Sequence, residues 1–233
     1  MKIKRFVCNA FQENAYVVSD GAECIIIDPG FSHAKTGAFA GEPSFGETVK
    51  DDGGATVEDL YHYLEAEGLT PTAILLTHSH PDHTLGLQPL VERFGLPIFS
   101  ARAEKQPDSC QKHGFSAARA EKQPDSCPAE TGAFAGEFRV IATPGHTPDS
   151  VCYYNEAEHV LFTGDTLFAG TIGRTDLPGG NYDDEIRSIM EKLVFLPGET
   201  DIYPGHGPQS TIARERTQNP FLEPFNEREE LDL

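Results

Sequence analysis

The sequence has no long apolar run. The longest stretches, such as Cys24–Ile27 and Ala73–Leu76, fall far short of the roughly 20 residues needed to cross a bilayer, so no membrane span is expected. Basic residues are scarce, with 18 Lys and Arg against 37 Asp and Glu and a net charge of −19. Such a chain repels phosphate backbones and anionic lipid surfaces, which excludes nucleic acid and membrane surfaces as expected partners. Lys2, Lys4 and Arg5 are not followed by a hydrophobic region or a small-residue cleavage site, so no signal peptide is read. Five cysteines without regular spacing do not make a disulfide framework and suit a reducing compartment, the cytoplasm. A G-x-S-x-G elbow for a nucleophilic serine is also missing. Cys8, Cys24 and Cys152 lie in or beside apolar strands, where a thiol is ordinarily buried and inert.

What remains is a chain of 233 residues, 38% hydrophobic. A chain of this length buries about 70–75% of its unfolded surface and needs no staple to fold. It carries two copies of ARAEKQPDSC, at Ala101–Cys110 and Ala118–Cys127, and two of TGAFAGE, at Thr36–Glu42 and Thr131–Glu137. Neither unit has a hydrophobic face to stack, so neither makes a solenoid. Ten identical residues point to a recent duplication, an engineered loop or a generated sequence. The copies sit in Gly-, Pro- and charge-rich stretches, read as surface loops at about 31–55 and 100–137 that alter substrate entry.

Turn residues and alternation predict strands at Ile3–Val7, Ala15–Ser19 and Glu23–Ile27 in a meander. A helix over Val57–Glu67 follows, with Thr56 as N-cap and Gly68 at its end. Strand Ala73–Leu76 leads into a helix from about Asp82 to Phe94, and Ile98–Phe99 is a short strand. Strands resume at Phe138–Ala142, Val151–Tyr154 and Val160–Phe162. A helix over Asp183–Phe195, strand Asp201–Tyr203 and a helix beginning near Thr211 complete the chain. The order predicts an α/β layered fold with mixed sheets, in a single domain over residues 1–233.

Of nine histidines, His33, His62, His113 and His159 fall in loops or on polar helix faces and are read as solvated. The other five follow strand ends. His78, His80 and His83 follow Ala73–Leu76, His146 follows Phe138–Ala142, and His206 follows Asp201–Tyr203, while Asp165 follows Val160–Phe162. Strands running the same way bring their C-terminal ends to one edge, so these segments can converge on one cleft. Residues two apart in an extended segment face the same way, which makes His78 and His80 a chelating pair. Asp82 and His83, beyond Pro81, point to a neighbouring position. Imidazole and carboxylate without thiolate suit Zn²⁺, with Fe and Mn close behind. Five histidines and two aspartates exceed the needs of one tetrahedral ion and match two ions sharing a carboxylate.

The motif T-H-x-H-x-D-H at Thr77–His83, with Asp28-Pro29-Gly30, Thr143–Thr147, Thr163–Thr166 and Tyr203–His206, resembles the metallo-β-lactamase superfamily. GDTLF at Gly164–Phe168, GRTDLPGG at Gly173–Gly180 and NPF at Asn219–Phe221 are similar to its compact glyoxalase II-like hydrolases. The resemblance implies an αβ/βα four-layer sandwich of two mixed β-sheets flanked by helices, with the site between the sheets. It also implies His78, His80 and His146 on one metal, Asp82, His83 and His206 on a second, and Asp165 bridging two Zn²⁺ (Fe or Mn as alternatives). Asp28 resembles the aspartate that orients ligands without binding metal. Penicillin-hydrolysing relatives commonly carry cysteine where Asp165 stands. Two ions a few ångströms apart supply hydroxide at neutral pH and polarise a carbonyl, with Asp82 holding the proton, and a thiolate leaving group needs little acid assistance. The expected activity is therefore thioester hydrolysis of glyoxalase II type on a small-molecule acyl thiol. Arg174 is the candidate for holding a substrate carboxylate, since its guanidinium fork matches that group; the alternative is a surface salt bridge. Two further readings stay open: a persulfide dioxygenase-like enzyme with one iron, which shares a GRTD stretch, and an engineered metal-binding scaffold with altered or lost activity, such as a lactonase or β-lactamase.

Overall fold

The computed structural model describes residues 1–32, 54–101 and 137–223. The repeated segments, His33 and His113 fall outside them, apart from Ala101 and Glu137, so the readings made for those stretches lie outside the described residues.

Three antiparallel strands open the chain: β1 (Lys2–Cys8), β2 (Glu13–Asp20) and β3 (Glu23–Ile27). Helix α1 (Val57–Glu67) then crosses to β4 (Thr70–Leu75), which lies parallel to β3, and β5 (Ile98–Phe99) adds parallel to β4. The first sheet thus has the order β1-β2-β3-β4-β5. The second, β12-β11-β8-β7-β6, is built from β6 (Arg139–Ala142), β7 (Val151–Asn155), β8 (Val160–Gly164), β11 (Asp201–Pro204) and β12 (Ser210–Thr211). In it β6 and β8 both run antiparallel to β7, and β11 runs parallel to β8. A small hairpin of β9 (Leu167–Phe168) and β10 (Thr171–Ile172), not expected from the sequence, follows β8.

Side-chain alternation shows how the layers stack. Ile25, Ile27, Ala73 and Leu75 of the first sheet pack with Val151, Tyr153, Val160 and Phe162 of the second, filling the space between the sheets. Their alternate neighbours Cys24, Ile26 and Ile74 pack outward with Val57, Leu60 and Leu64 of α1 and Leu90. Cys152, Tyr154 and Leu161 pack outward on the other side with Ile189, Leu193 and Ile212. Both faces of the central strands are therefore buried, which explains their near-continuous apolar sequences. The result is helices, sheet, sheet, helices: the expected four-layer α/β arrangement of two mixed sheets.

The sequence correctly places the ends of α1. Thr56 and Asp59 form a capping box, with the Asp59 amide donating to Thr56 Oγ1 at 3.3 Å and the Thr56 amide to Asp59 Oδ2 at 2.9 Å. Thr56→Ala is expected to lower stability in urea by about 1 kcal/mol, and Thr56→Ser to restore it; equal midpoints for all three would remove the cap from the account of α1.

Two helices differ from expectation. The single helix read over Asp82–Phe94 is two, α2 (Pro81–Thr84) and α3 (Leu87–Phe94). Between them the Gly86 amide donates to the Pro29 carbonyl at 2.7 Å, and a Cβ at Gly86 would lie 2.7 Å from that oxygen. The close approach of the Pro29 loop, invisible to periodicity, breaks the helix. The helix read over Asp183–Phe195 is α4 (Tyr182–Ser188) followed by one wider turn over Ile189–Leu193, closed by the Val194 amide on the Ile189 carbonyl at 3.1 Å. The last helix, α5, spans Ile212–Gln218.

Candidate metal centre

Strand direction assembles the site. Parallel β3 and β4 end at Asp28 and Thr77-His78, while β6, β8 and β11 run the same way and end at the segments bearing His146, Asp165 and His206. The two edges are stitched together. The Val151 amide donates to the Thr77 carbonyl at 2.8 Å, the Asn14 amide to the Gly205 carbonyl at 2.7 Å, and Tyr16 Oη to the Pro204 carbonyl at 2.7 Å. All seven residues expected to hold metal meet here.

They form two clusters. In the first, His78 Nε2 lies 3.1 Å and His146 Nε2 2.9 Å from His80 Nδ1. In the second, His206 Nε2 lies 3.3 Å and His83 Nε2 3.7 Å from Asp82 Oδ2. Asp165 stands between them, with Oδ1 3.4 Å from His83 Nε2 and Oδ2 3.5 Å from both His146 Nε2 and His206 Nε2. Tetrahedral ligation at about 2.0–2.1 Å separates ligand atoms by about 3.3 Å, so this spacing suits shared ions.

The outward ring nitrogens explain why the inward ones are free to ligate. His83 Nδ1 lies 3.1 Å from Asp28 Oδ2, His146 Nδ1 2.7 Å from the Arg174 carbonyl, and His206 Nδ1 3.1 Å from the Phe11 carbonyl. Each partner only accepts, so each Nδ1 carries a proton, which leaves Nε2 as the ring atom that can ligate a metal once it is unprotonated. Thr77 Oγ1 donates to Asp28 Oδ2 at 2.6 Å, which leaves it to accept from His78 Nδ1 at 3.1 Å and gives His78 the same tautomer. His83 Nε2 and Asp165 Oδ1 are buried and make no hydrogen bond. Imidazole nitrogens and carboxylate oxygens gathered at this spacing, with buried polar atoms left unpaired, are a donor set that fits divalent metal.

Charge coupling follows the same geometry. Burial holds the imidazoles of His78 and His80 below the usual range, aided by neighbouring histidines. Burial opposes charge on His206, yet Asp165 and Asp82 push it up to about 9. Burial likewise opposes charge on His83 and Asp165, but each stabilises the other: the imidazole is pushed well up and the carboxyl held well down.

Asp28 is close enough to His78 and His83 to join them around an ion, but its oxygens are taken. Oδ1 accepts the Thr77 amide at 2.7 Å, and Oδ2 accepts Thr77 Oγ1 and His83 Nδ1. The guanidinium of Arg174 is exposed and makes a bidentate pair with Asp176, both bonds at 2.8 Å; its carbonyl is what reaches the cluster, through His146. His62 is exposed, whereas His159 is half-buried in a turn with φ 51°, a correction to its reading as solvated. Cys8, Cys24 and Cys152 are buried and free, and burial pushes the thiols of Cys24 and Cys152 up to about 12, too high for a nucleophile at neutral pH.

Beside this centre, sequence reasoning passed over two buried carboxylates. Glu13 is fully buried, with Oε1 3.8 Å from His83 Nδ1, and burial pushes its carboxyl well up. Glu185 is fully buried beside His146, and burial pushes its carboxyl up to about 8. Glu185 sits in an acidic run that reads as a solvated helix face, but its spacing to Ile189 and Leu193 places it on the apolar stripe, and that was the available signal.

Comparisons with known proteins identify the family. The profile of the Metallo-beta-lactamase superfamily matches residues 8–206. "Probable metallo-hydrolase YqgX" of Bacillus subtilis (strain 168) is 36% identical over 97% of this chain and 100% of its own length. "Hydroxyacylglutathione hydrolase GloC" of Haemophilus influenzae is 33% identical over 95% of this chain and 98% of its own. Among crystal structures, the BLEG-1 B3 metallo-beta-lactamase superposes with a TM-score of 0.72 at 34% identity, over 95% of this chain and 99% of that one. TTHA1623 in a di-iron-bound form does so at 0.68 and 32%, over 94% and 100%. With the profile matching residues 8–206 and relatives 33% and 36% identical along nearly their whole length, the chain belongs to the metallo-β-lactamase superfamily.

Proposed function

We propose that this chain is a dinuclear metal-dependent hydrolase, acting as one domain over residues 1–233, that cleaves a small-molecule thioester of the acyl-glutathione type. The observation that carries the reading is the position of Asp165 between two ligand clusters, within 3.5 Å of His83, His146 and His206. His78, His80 and His146 would hold one ion, Asp82, His83 and His206 the other, and Asp165 both; zinc suits this donor set, and the di-iron TTHA1623 structure keeps iron as an alternative. When bound, the ions supply a water-derived nucleophile at neutral pH and polarise the acyl carbonyl.

The protein's own residues do the rest. Burial opposes charge on Asp82, yet His206 and His83 hold its carboxyl below the usual range, so it stays anionic and would hold the nucleophile's proton by accepting a hydrogen bond. Arg174 would exchange its exposed partner Asp176 for a substrate carboxylate. A thiolate leaves without a general acid, because its conjugate acid has a pKa near about 8.5. The GloC relative is named for this substrate class, which supports the reading. The buried free thiols support a reducing compartment, and among the described residues no helix is long and apolar enough to cross a membrane.

Chelation is expected to abolish hydrolysis of lactoylglutathione and lower the melting temperature, and Zn²⁺ to restore both. Metal analysis with a substrate panel decides among the alternatives. Two metal ions per chain with thioester cleavage, and a higher KM for thioesters lacking a carboxylate, support the proposal. One iron with oxygen uptake on glutathione persulfide overturns it in favour of an oxygenase, the second reading suggested by the GRTD segment at Gly173–Asp176. Cleavage of β-lactams but not thioesters, the activity class for which BLEG-1 is named, overturns the substrate assignment alone.

A further inference from the structure

Helix α4 touches the His146 segment at three successive residues. Ser188 Oγ donates to the Pro144 carbonyl at 2.7 Å, the Asn181 amide donates to the Gly145 carbonyl at 2.8 Å, and Glu185 Oε2 accepts the His146 amide at 2.7 Å. The contact with Glu185 is the innermost, because that residue is fully buried. Space has been left for it on both sides. A Cβ at Gly145 would overlap Glu185, and a Cβ at Gly173 would overlap the Asp165 carbonyl first and lie 2.7 Å from Glu185 Oε1 and 3.1 Å from the Cβ of His146. Gly173 directly precedes Arg174, whose carbonyl accepts His146 Nδ1 at 2.7 Å. The Gly173 amide is in turn tied to the Thr166 carbonyl at 3.0 Å, one residue from Asp165.

We propose that Glu185 is a positioning residue for His146: it fixes the main chain of that histidine by a hydrogen bond and the orientation of its ring by packing against the segment that carries the Arg174 carbonyl. The turn at Pro144–His146 and the loop at Gly173–Arg174 are distant from each other in sequence, and the Glu185 side chain lies against both. An imidazole anchored at its amide and at its outward nitrogen has one direction left for Nε2, toward His80 and Asp165. Partners one step removed from a metal commonly change its affinity about 10–100-fold. The inference rests on the metal-centre reading, so its test includes one measurement that needs no metal.

Glu185→Leu removes the acceptor at nearly constant volume, and Glu185→Gln keeps an acceptor. With Zn²⁺ titrated into each protein and histidine ring nitrogens followed by NMR, Glu185→Leu is expected to raise the midpoint reported by His146 about 10–100-fold while His206 moves less than about threefold, and Glu185→Gln to stay near wild type. Equal weakening at both histidines, no weakening, or damage by Gln equal to that by Leu overturns the proposal. If wild type takes up no Zn²⁺, the metal-centre reading fails, and the positioning role is decided in metal-free protein. There the His146 amide proton should be shifted downfield and exchange slowly in wild type and Glu185→Gln, and lose both properties in Glu185→Leu; an unchanged resonance overturns the role. Should the Leu variant fail to fold, hydrogen exchange in wild type decides: an unprotected His146 amide overturns the proposal, and protection of about a hundredfold or more supports it.

Discussion

Replacing Asp165 by alanine is expected to cut bound metal from two ions per chain to at most one and to lower kcat/KM by about a thousandfold or more. The argument is one of charge. Around this centre stand five imidazoles and two carboxylates expected to ligate, and Asp165 alone faces both clusters, with Oδ1 toward His83 and Oδ2 toward His146 and His206. Without it, two dications would share one carboxylate, Asp82, in a pocket where His78 and His83 are buried. A thousandfold loss corresponds to about 4 kcal/mol of transition-state stabilisation, within what a metal pair supplies to a developing oxyanion. Emission spectroscopy for metal content and a thioester assay check it together. A variant that keeps both ions and full turnover refutes the bridging role.

The largest loss of stability is expected at Asp28. One carboxylate, buried at the end of β3, takes the Thr77 amide, the Thr77 hydroxyl and His83 Nδ1, and so joins the ends of two parallel strands to the start of α2. Asp28→Ala strands three donors away from water, and each unsatisfied buried group costs about 1–3 kcal/mol. The main chain adds to the cost, since Asp28 has φ 45°, where alanine is disfavoured and asparagine tolerated. An overall loss of about 3–5 kcal/mol is expected from urea unfolding of the metal-free protein, with Asp28→Asn intermediate, because its amide keeps the backbone conformation and one acceptor. A variant as stable as wild type would mean that the Thr77 and His83 bonds contribute nothing to holding the strand ends together.

Much of this protein is legible in one dimension. Local signals mark α1 from Thr56 to Gly68, the meander of β1 to β3, and the apolar strands buried on both faces. The same signals fail at Gly86, where the helix path answers to the Pro29 loop rather than to its own periodicity, and at the wider turn over Ile189–Leu193. The hairpin of β9 and β10 is two residues per strand, too short to show alternation.

The candidate ligands were readable because their chemistry is written in residue type and in position after a strand: His78, His80, Asp82, His83, His146, Asp165 and His206 follow apolar runs with little else to explain them. By itself, then, the sequence determined most of the longer elements and which side chains are available to hold metal. Only the tertiary structure decided how those side chains are aimed. The protons on the outward ring nitrogens of His83, His146 and His206 are set by partners far along the chain, namely Asp28, the Arg174 carbonyl and the Phe11 carbonyl. The same is true of Glu185, an acidic residue in an acidic run until α4 docks on the Pro144–His146 turn and buries it. Hydrogen-bond direction and burial depend on contacts between segments separated by tens of residues, and no local pattern encodes such contacts.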